Sequence, residues 1–217
     1  MDLSLSGRRA VVTGGSKGIG FAVARELVAE GAAVAICARN PDEVQAAAGE
    51  LIARGGTVHA SVTDVTKPDQ VEAFIAAAAE TLGGIDILVN NAGAAHPGTF
   101  ETLTDAAWQG DLDVKLFSQI RCTRAALPHL RASNAARVIN INAIYARYPD
   151  PAFFATTVNR AALRRGVFHS VPDLITKIED YLTAHNDNPQ ALPLDRNRRR
   201  HLTKVARGRV ALQAVNH

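Results

Sequence analysis

Thr13-Gly14-Gly15-Ser16-Lys17-Gly18-Ile19-Gly20 stands between an apolar run at 10–12 and a helix-like stretch at 21–30. Glycines at this spacing let the backbone turn sharply and come close to a pyrophosphate. A helix that follows points its free N–H groups and positive dipole end at the phosphates. A glycine-rich turn alone is an ordinary loop; with a strand before it and a helix after it, it reads as a dinucleotide-binding turn.

Outward from this turn, short β-branched runs alternate with longer helical patterns as far as residue 142. The pattern predicts strands near 8–13, 33–38, 57–62, 85–90 and 137–142, and helices near 18–30, 41–54, 68–82 and 105–132. Gly31, Asn40-Pro41, Gly55-Gly56 and Gly83-Gly84 mark the turns. This is the reading of an α/β fold, a doubly wound, Rossmann-like parallel sheet whose ligand lies beyond the carboxyl ends of its strands.

The 217 residues suffice for one sizeable core, or a core with an appendage. Their composition, 47% hydrophobic and 21% charged, is that of a globular protein. No apolar stretch approaches the roughly 18 residues of a membrane span. Residues 1–6 lack the basic and apolar regions of a signal peptide, so the expected location is the cytoplasm and no membrane partner is expected. Cys37 and Cys122 lack metal-ligand spacing and read as reduced, structural thiols; no metal site is expected. The net charge of +3 hides an asymmetry, because residues 164–217 hold 10 Lys and Arg against 5 Asp and Glu, whereas residues 1–163 hold 14 against 16.

Beside the glycine turn stand Asn90-Asn91-Ala92-Gly93 closing the fourth strand and Asp64-Val65 closing the third. Trp108 precedes a long helix that ends Arg124-Ala125-Ala126-Leu127-Pro128. In these motifs, their order and their spacing, residues 1–163 resemble the short-chain dehydrogenase/reductase family. The resemblance implies that the amides of Gly14, Ser16, Lys17, Gly18, Ile19 and Gly20 cradle the cofactor's phosphates. It also implies that Asp64 and Val65 hold the adenine and that Asn91, Ala92 and Gly93 line the cofactor cleft. The second strand ends without the acidic residue that accepts a ribose 2′-hydroxyl, and Arg39 with Lys17 is suited to a 2′-phosphate. NADP(H) is therefore favoured over NAD(H).

The same resemblance locates the family's chemistry and shows it altered. The family's Asn position falls on Lys115, its Ser position on Ala143, and its Tyr and Lys positions on Thr156 and Arg160. Ala143 has no polar atom with which to orient a substrate oxygen, although neighbouring Asn142 carries an amide. An aliphatic hydroxyl such as that of Thr156 resists ionisation far more than a phenol, and Arg160 stays protonated. Lys115 is the one newcomer able to trade a proton, if burial or Arg160 lowers its pKa. Tyr145 and Tyr148 have no Lys four residues on and read as packing or loop cover. Lys115, Thr156 and Arg160 are the candidate catalytic residues of an altered site acting on a small carbonyl or alcohol. His96, in the loop after Gly93, is a candidate substrate contact; Trp108, His59 and His129 read as structural.

Beyond residue 163 the family's sixth and seventh strands find no match. Leu163-Arg164-Arg165-Gly166-Val167-Phe168, Ser170-Val171, Leu174, Ile178-Glu179 and His185-Asn186-Asp187-Asn188-Pro189 are similar to the C-terminal end of an insertion-sequence transposase of the DDE type. His169 to Leu182 and Asp195 to Ala214 read as helices, so a mostly helical, basic tail is expected over 164–217 and a sheet truncated after its fifth strand; the resemblance implies that the transposase's carboxylates are absent. Arg196, Arg198, Arg199, Arg200, Lys204, Arg207 and Arg209 are able to neutralise nucleic-acid phosphates. Without stacking aromatics or a recognisable DNA-binding module, a solvated basic stretch is the preferred reading.

Three functions follow from these features: an NADP(H)-dependent oxidoreductase with an altered site, a non-catalytic nucleotide-binding remnant fused to a transposase fragment, and a basic-tailed DNA-associated protein. The second is preferred for the molecule and the first for its descent. An uncovered sheet edge leads to the expectation of a poorly soluble or marginally stable chain, and the oligomeric state is left open.

Overall fold

A computed structural model describes residues 4–94, 97–142, 152 and 155. Strands β1 (Arg9–Thr13), β2 (Ala33–Ala38), β3 (Val58–Val62), β4 (Ile87–Asn90) and β5 (Arg137–Asn140) form one parallel sheet in the order β3-β2-β1-β4-β5. The register sets Val12 beside Ile36 and Val89, and Asn90 beside Asn140. The chain therefore builds outward from β1 in one direction, then returns to its other side with β4. That reversal leaves a crevice at the carboxyl ends of β1 and β4, the place where open α/β sheets bind ligands.

Alternation along the buried strands divides the core into two layers. Ala10, Val12, Val34, Ile36, Ile87 and Val89 face α1 (Gly18–Ala29) and α2 (Pro41–Ala53), which contribute Ala24, Leu27, Val28, Ala47 and Leu51. Val11, Ala35, Cys37 and Leu88 face the opposite layer, where α3 (Pro68–Leu82) supplies Val71, Phe74, Ile75 and Ala78. Both faces are covered, which is why these strands read as continuous apolar runs. At the outer edge β5 is different: Val138 and Ile139 are 44% and 46% exposed.

One element departs from the sequence reading. The single helix expected over 105–132 is α4 (Asp105–Leu112), a five-residue π-helical stretch (Asp113–Phe117) and α5 (Ser118–Ala132). The wider turn accommodates Lys115, buried within the stretch and paired with Asp111 at the end of α4. No proline or glycine lies within 113–117 to mark the change. Pro128 is tolerated inside α5 near its carboxyl end, and Cys122, Ala126 and Leu130 bury the helix against the second layer.

At the amino ends of the strands, Arg9 donates from Nε and Nη2 to the two Asp86 carboxylate oxygens, each at 2.8 Å, and from its amide at 3.0 Å. Ser133, after α5, donates to the same carboxylate at 2.6 Å. Four donors converge on a side chain that is 3% exposed. The Arg9 guanidinium, ahead of Ser133 and the Arg9 amide, holds the Asp86 carboxyl well below the usual carboxylate range despite its burial.

Candidate functional site

Thr13 ends β1, and its hydroxyl is the joint between the two loops of the crevice. Thr13 Oγ1 accepts from the amides of Asn91 and Ala92, both at 3.0 Å, while Asn91 Nδ2 donates to the carbonyls of Thr13 and Gly14 at 3.0 and 3.1 Å. The Gly15 amide donates to the Cys37 carbonyl at 3.1 Å, fastening the turn to the end of β2 as well. Such a close join dictates glycine. Gly14 sits at φ +64°, and a Cβ on Gly20 would lie 2.2 Å from the Gly14 carbonyl oxygen.

Helix α1 opens from this turn with its amino end bare. Its N-cap, Lys17, makes no side-chain capping bond, and its first turn carries no acidic residue. By contrast α2 is capped by Asn40, whose side chain accepts from the amides of Asp42 and Glu43. An uncapped helix amino end of this kind, with its dipole behind it, is suited to an anion.

A cleft of about 480 Å³ opens above these ends. Of the residues expected to hold the cofactor, Gly14, Ser16, Lys17, Ile19, Arg39, Asp64, Val65, Asn91, Ala92 and Gly93 line it. Gly18 and Gly20 do not reach the cleft wall; they shape the turn beneath it. Asp64 follows β3, and its Oδ1 accepts from the Thr66 amide at 2.9 Å and the Thr66 hydroxyl at 2.8 Å. Burial alone raises the Asp64 pKa, but these bonds with the nearby charges of Arg39 and Lys67 prevail and leave it below its ordinary value. The carboxylate is thus held ionised on the cleft wall.

Lining residues that the sequence reading passed over are Thr63, Val114, Asn40 and above all Glu43. Glu43 accepts from Lys17 Nζ at 2.7 Å and from Ser16 Oγ at 3.4 Å, spanning from α2 to the glycine turn. The bond from Lys17 is the main reason that the Glu43 pKa lies below its ordinary value. Glu43, with Asp42 one of two acids after Asn40-Pro41, could have been noticed as a first-turn residue of α2. Its reach to Lys17 has no local sequence signal.

Among the candidate catalytic residues, Lys115 is placed with its side chain buried and donating to Asp111 Oδ1. Asp111 is likewise fully buried, and its i,i+4 spacing from Lys115 is a signal the sequence carried. Val114, next to Lys115, reaches the cleft wall. Ala143, Thr156, Arg160, Tyr145, Tyr148 and His96 lie outside the described residues, as does the whole of 164–217. His59 is on β3, stacked on Phe74 at 6.2 Å between ring centroids, and burial lowers its pKa. Cys37 and Cys122 are free and buried in the second layer. Among the described residues no helix is long and apolar enough to cross a membrane.

Comparison with known proteins agrees with this geometry. The family model for short chain dehydrogenases matches residues 8–164. An uncharacterized oxidoreductase, YvrD of Bacillus subtilis, is 36% identical over 163 residues, covering 75% of this chain and 61% of its own length. A short chain oxidoreductase from Pseudomonas aeruginosa PAO1, described as containing an atypical catalytic center, is 44% identical with a TM-score of 0.71 over 74% of this chain and 62% of that one. It has also been solved with NADPH bound. L-sorbose reductase from Gluconobacter frateurii, solved with NADPH and L-sorbose, is 35% identical with a TM-score of 0.72 over 75% of this chain and 62% of that one. The chain thus spans about three fifths of the length of these relatives.

Proposed function

The chain belongs to the short-chain dehydrogenase family, and we propose that it binds NADP(H) in the cleft between β1 and β4 while carrying an impaired version of the family's carbonyl reduction. The observation that carries the first part is the bare amino end of α1 beside two cleft-lining cations, Lys17 and Arg39. The turn amides take the pyrophosphate, Asp64 and Val65 the adenine, and Lys17 with Arg39 the 2′-phosphate. Relatives solved with NADPH or NADP support this choice of cofactor.

The second part rests on Lys115. Where the family places a neutral amide, this chain has a lysine held by Asp111 in the interior. When bound, the cofactor supplies a hydride; the chain must supply a proton and orient a carbonyl oxygen. Thr156 is a weak proton donor near neutrality, Arg160 stays charged, and Ala143 offers no hydrogen bond. Lys115 is the remaining proton carrier, and a small ketone, aldehyde or secondary alcohol is the substrate class. In this reading 1–163 is the nucleotide-binding domain and 164–217 a separate basic tail of different, transposase-like origin.

The test is NADPH oxidation over a panel of small ketones and aldehydes, run on the full chain and on the variant carrying K115N, A143S, T156Y and R160K. The chain is expected to turn over more than 100-fold below the usual range of about 1–10³ s⁻¹, with the fourfold variant faster. Turnover within that range by the unaltered chain overturns the impairment.

A further inference from the structure

We infer that Glu43 is a specificity-determining residue of the cofactor site: it is an internal anion that occupies Lys17 and must be displaced by the 2′-phosphate of NADP(H). The inference rests on the cofactor reading above. Its basis is the placement of four charges on one cleft wall. Lys17 and Arg39 are the cations; Glu43 and Asp64 are the carboxylates that face them. The cations that select a 2′-phosphate are therefore already matched by protein carboxylates.

Of the two carboxylates, Glu43 is the one that competes. Asp64 is bound through Thr66 to its own loop. Glu43 instead holds the turn itself, Lys17 Nζ at 2.7 Å and Ser16 Oγ at 3.4 Å, so it contacts the groups that a phosphate beside the glycine turn would take. Its backbone is fixed at the start of α2 by the Asn40 side chain, which accepts from the Glu43 amide at 3.1 Å. The side chain can swing, but its charge stays on the wall. A dianionic 2′-phosphate gains Lys17 only by exchange with a carboxylate and then remains within one Debye length of it. A ribose 2′-hydroxyl has no charge to exchange, so NAD(H) feels the same residue only through the pyrophosphate that both dinucleotides share, and less than NADP(H) does. Glu43 accordingly lowers the preference for NADP(H) that Lys17 and Arg39 create.

The experiment is calorimetric titration of the full chain and its Glu43→Gln, Lys17→Met and Lys17→Met/Glu43→Gln variants with NADPH, NADH and adenosine 2′,5′-bisphosphate. Glu43→Gln keeps an oxygen to accept from Lys17 while removing the charge. It is expected to tighten NADPH and the bisphosphate about three- to tenfold, and NADH by less than twofold. The gain is expected to shrink in 0.5 M salt and to be smaller, measured against Lys17→Met as the parent, when Lys17 is Met. An equal change for NADPH and NADH assigns Glu43 a merely structural role and overturns the inference, as does no change for NADPH. If neither dinucleotide binds either chain, the cofactor reading falls and the inference with it.

Discussion

Thr13 offers a sensitive probe of how the crevice is built, because one hydroxyl serves two loops. Replacing Thr13 by Val preserves its shape and β-branching but removes the acceptor for the Asn91 and Ala92 amides, both bonded at 3.0 Å. Thr13 itself is only 2% exposed, so water has no direct route to the vacated side. An unsatisfied buried amide costs about 1–3 kcal/mol; with both amides partly buried, the low end applies twice and the expected loss is about 2–3 kcal/mol. For a domain of this size that lowers Tm by roughly 4–12 °C. Thr13→Ser keeps the acceptor and gives up one methyl, a loss of about 1 kcal/mol. Thermal unfolding of the two variants, with amide exchange followed at Asn91 and Ala92, makes the comparison. Thr13→Val should expose those two amides and weaken dinucleotide binding, whereas Thr13→Ser should do neither. Equal Tm values for Val and Ser, with protection retained at both amides, would refute the assignment of the hydroxyl as the joint.

Asp86→Asn is expected to cost about 2–4 kcal/mol at pH 7 in denaturant unfolding, since it breaks an ion pair at a buried carboxylate that accepts four hydrogen bonds. The native pKa of Asp86 lies below the unfolded-chain value of about 3.9, so this contribution is fully present above that value and fades as pH falls toward the native one. The difference between variant and parent should therefore narrow below about pH 4; a constant difference down to pH 2 contradicts the ion pair. Asp111→Asn and Lys115→Met should each destabilise by about 3 kcal/mol, while the double variant costs less than their sum by at least about 1 kcal/mol. Additive losses would show that the two side chains do not act as a pair. Burial raises both thiols, Cys122 to about 12 and Cys37 further, so a disulfide reagent at pH 8 should label them only as fast as the chain unfolds. Rapid labelling of the native chain would contradict the core assigned to them.

The sheet was legible because β1, β2 and β4 are apolar and largely buried and the turns carry glycine or Asn-Pro, so periodicity and punctuation agree along the first 142 residues. All five strands lie within two residues of their expected bounds, as do the first three helices. The π-helical stretch was not legible. It contains no proline or glycine to mark it, and what it holds is a buried charge pair rather than a breaker. Distance in sequence hid the remaining determinants. Glu43 is a helix first-turn acid by local pattern and meets Lys17 only because β1 and β2 are neighbours. Arg9 and Asp86 are 77 positions apart and converge because β4 returns beside β1. The glycine turn and the Asn91-Ala92-Gly93 loop were legible one by one. That a single threonine binds them together is a tertiary fact.

Equilibrium titration of the full chain with NADPH and with NADH tests the central claim most directly, because it asks whether the cleft takes a dinucleotide and whether its cations read the 2′-phosphate. Saturable binding of one NADPH per chain, tighter than NADH and weakening as salt rises, is the expected result. Tighter binding of NADH, or no binding of either, would contradict it.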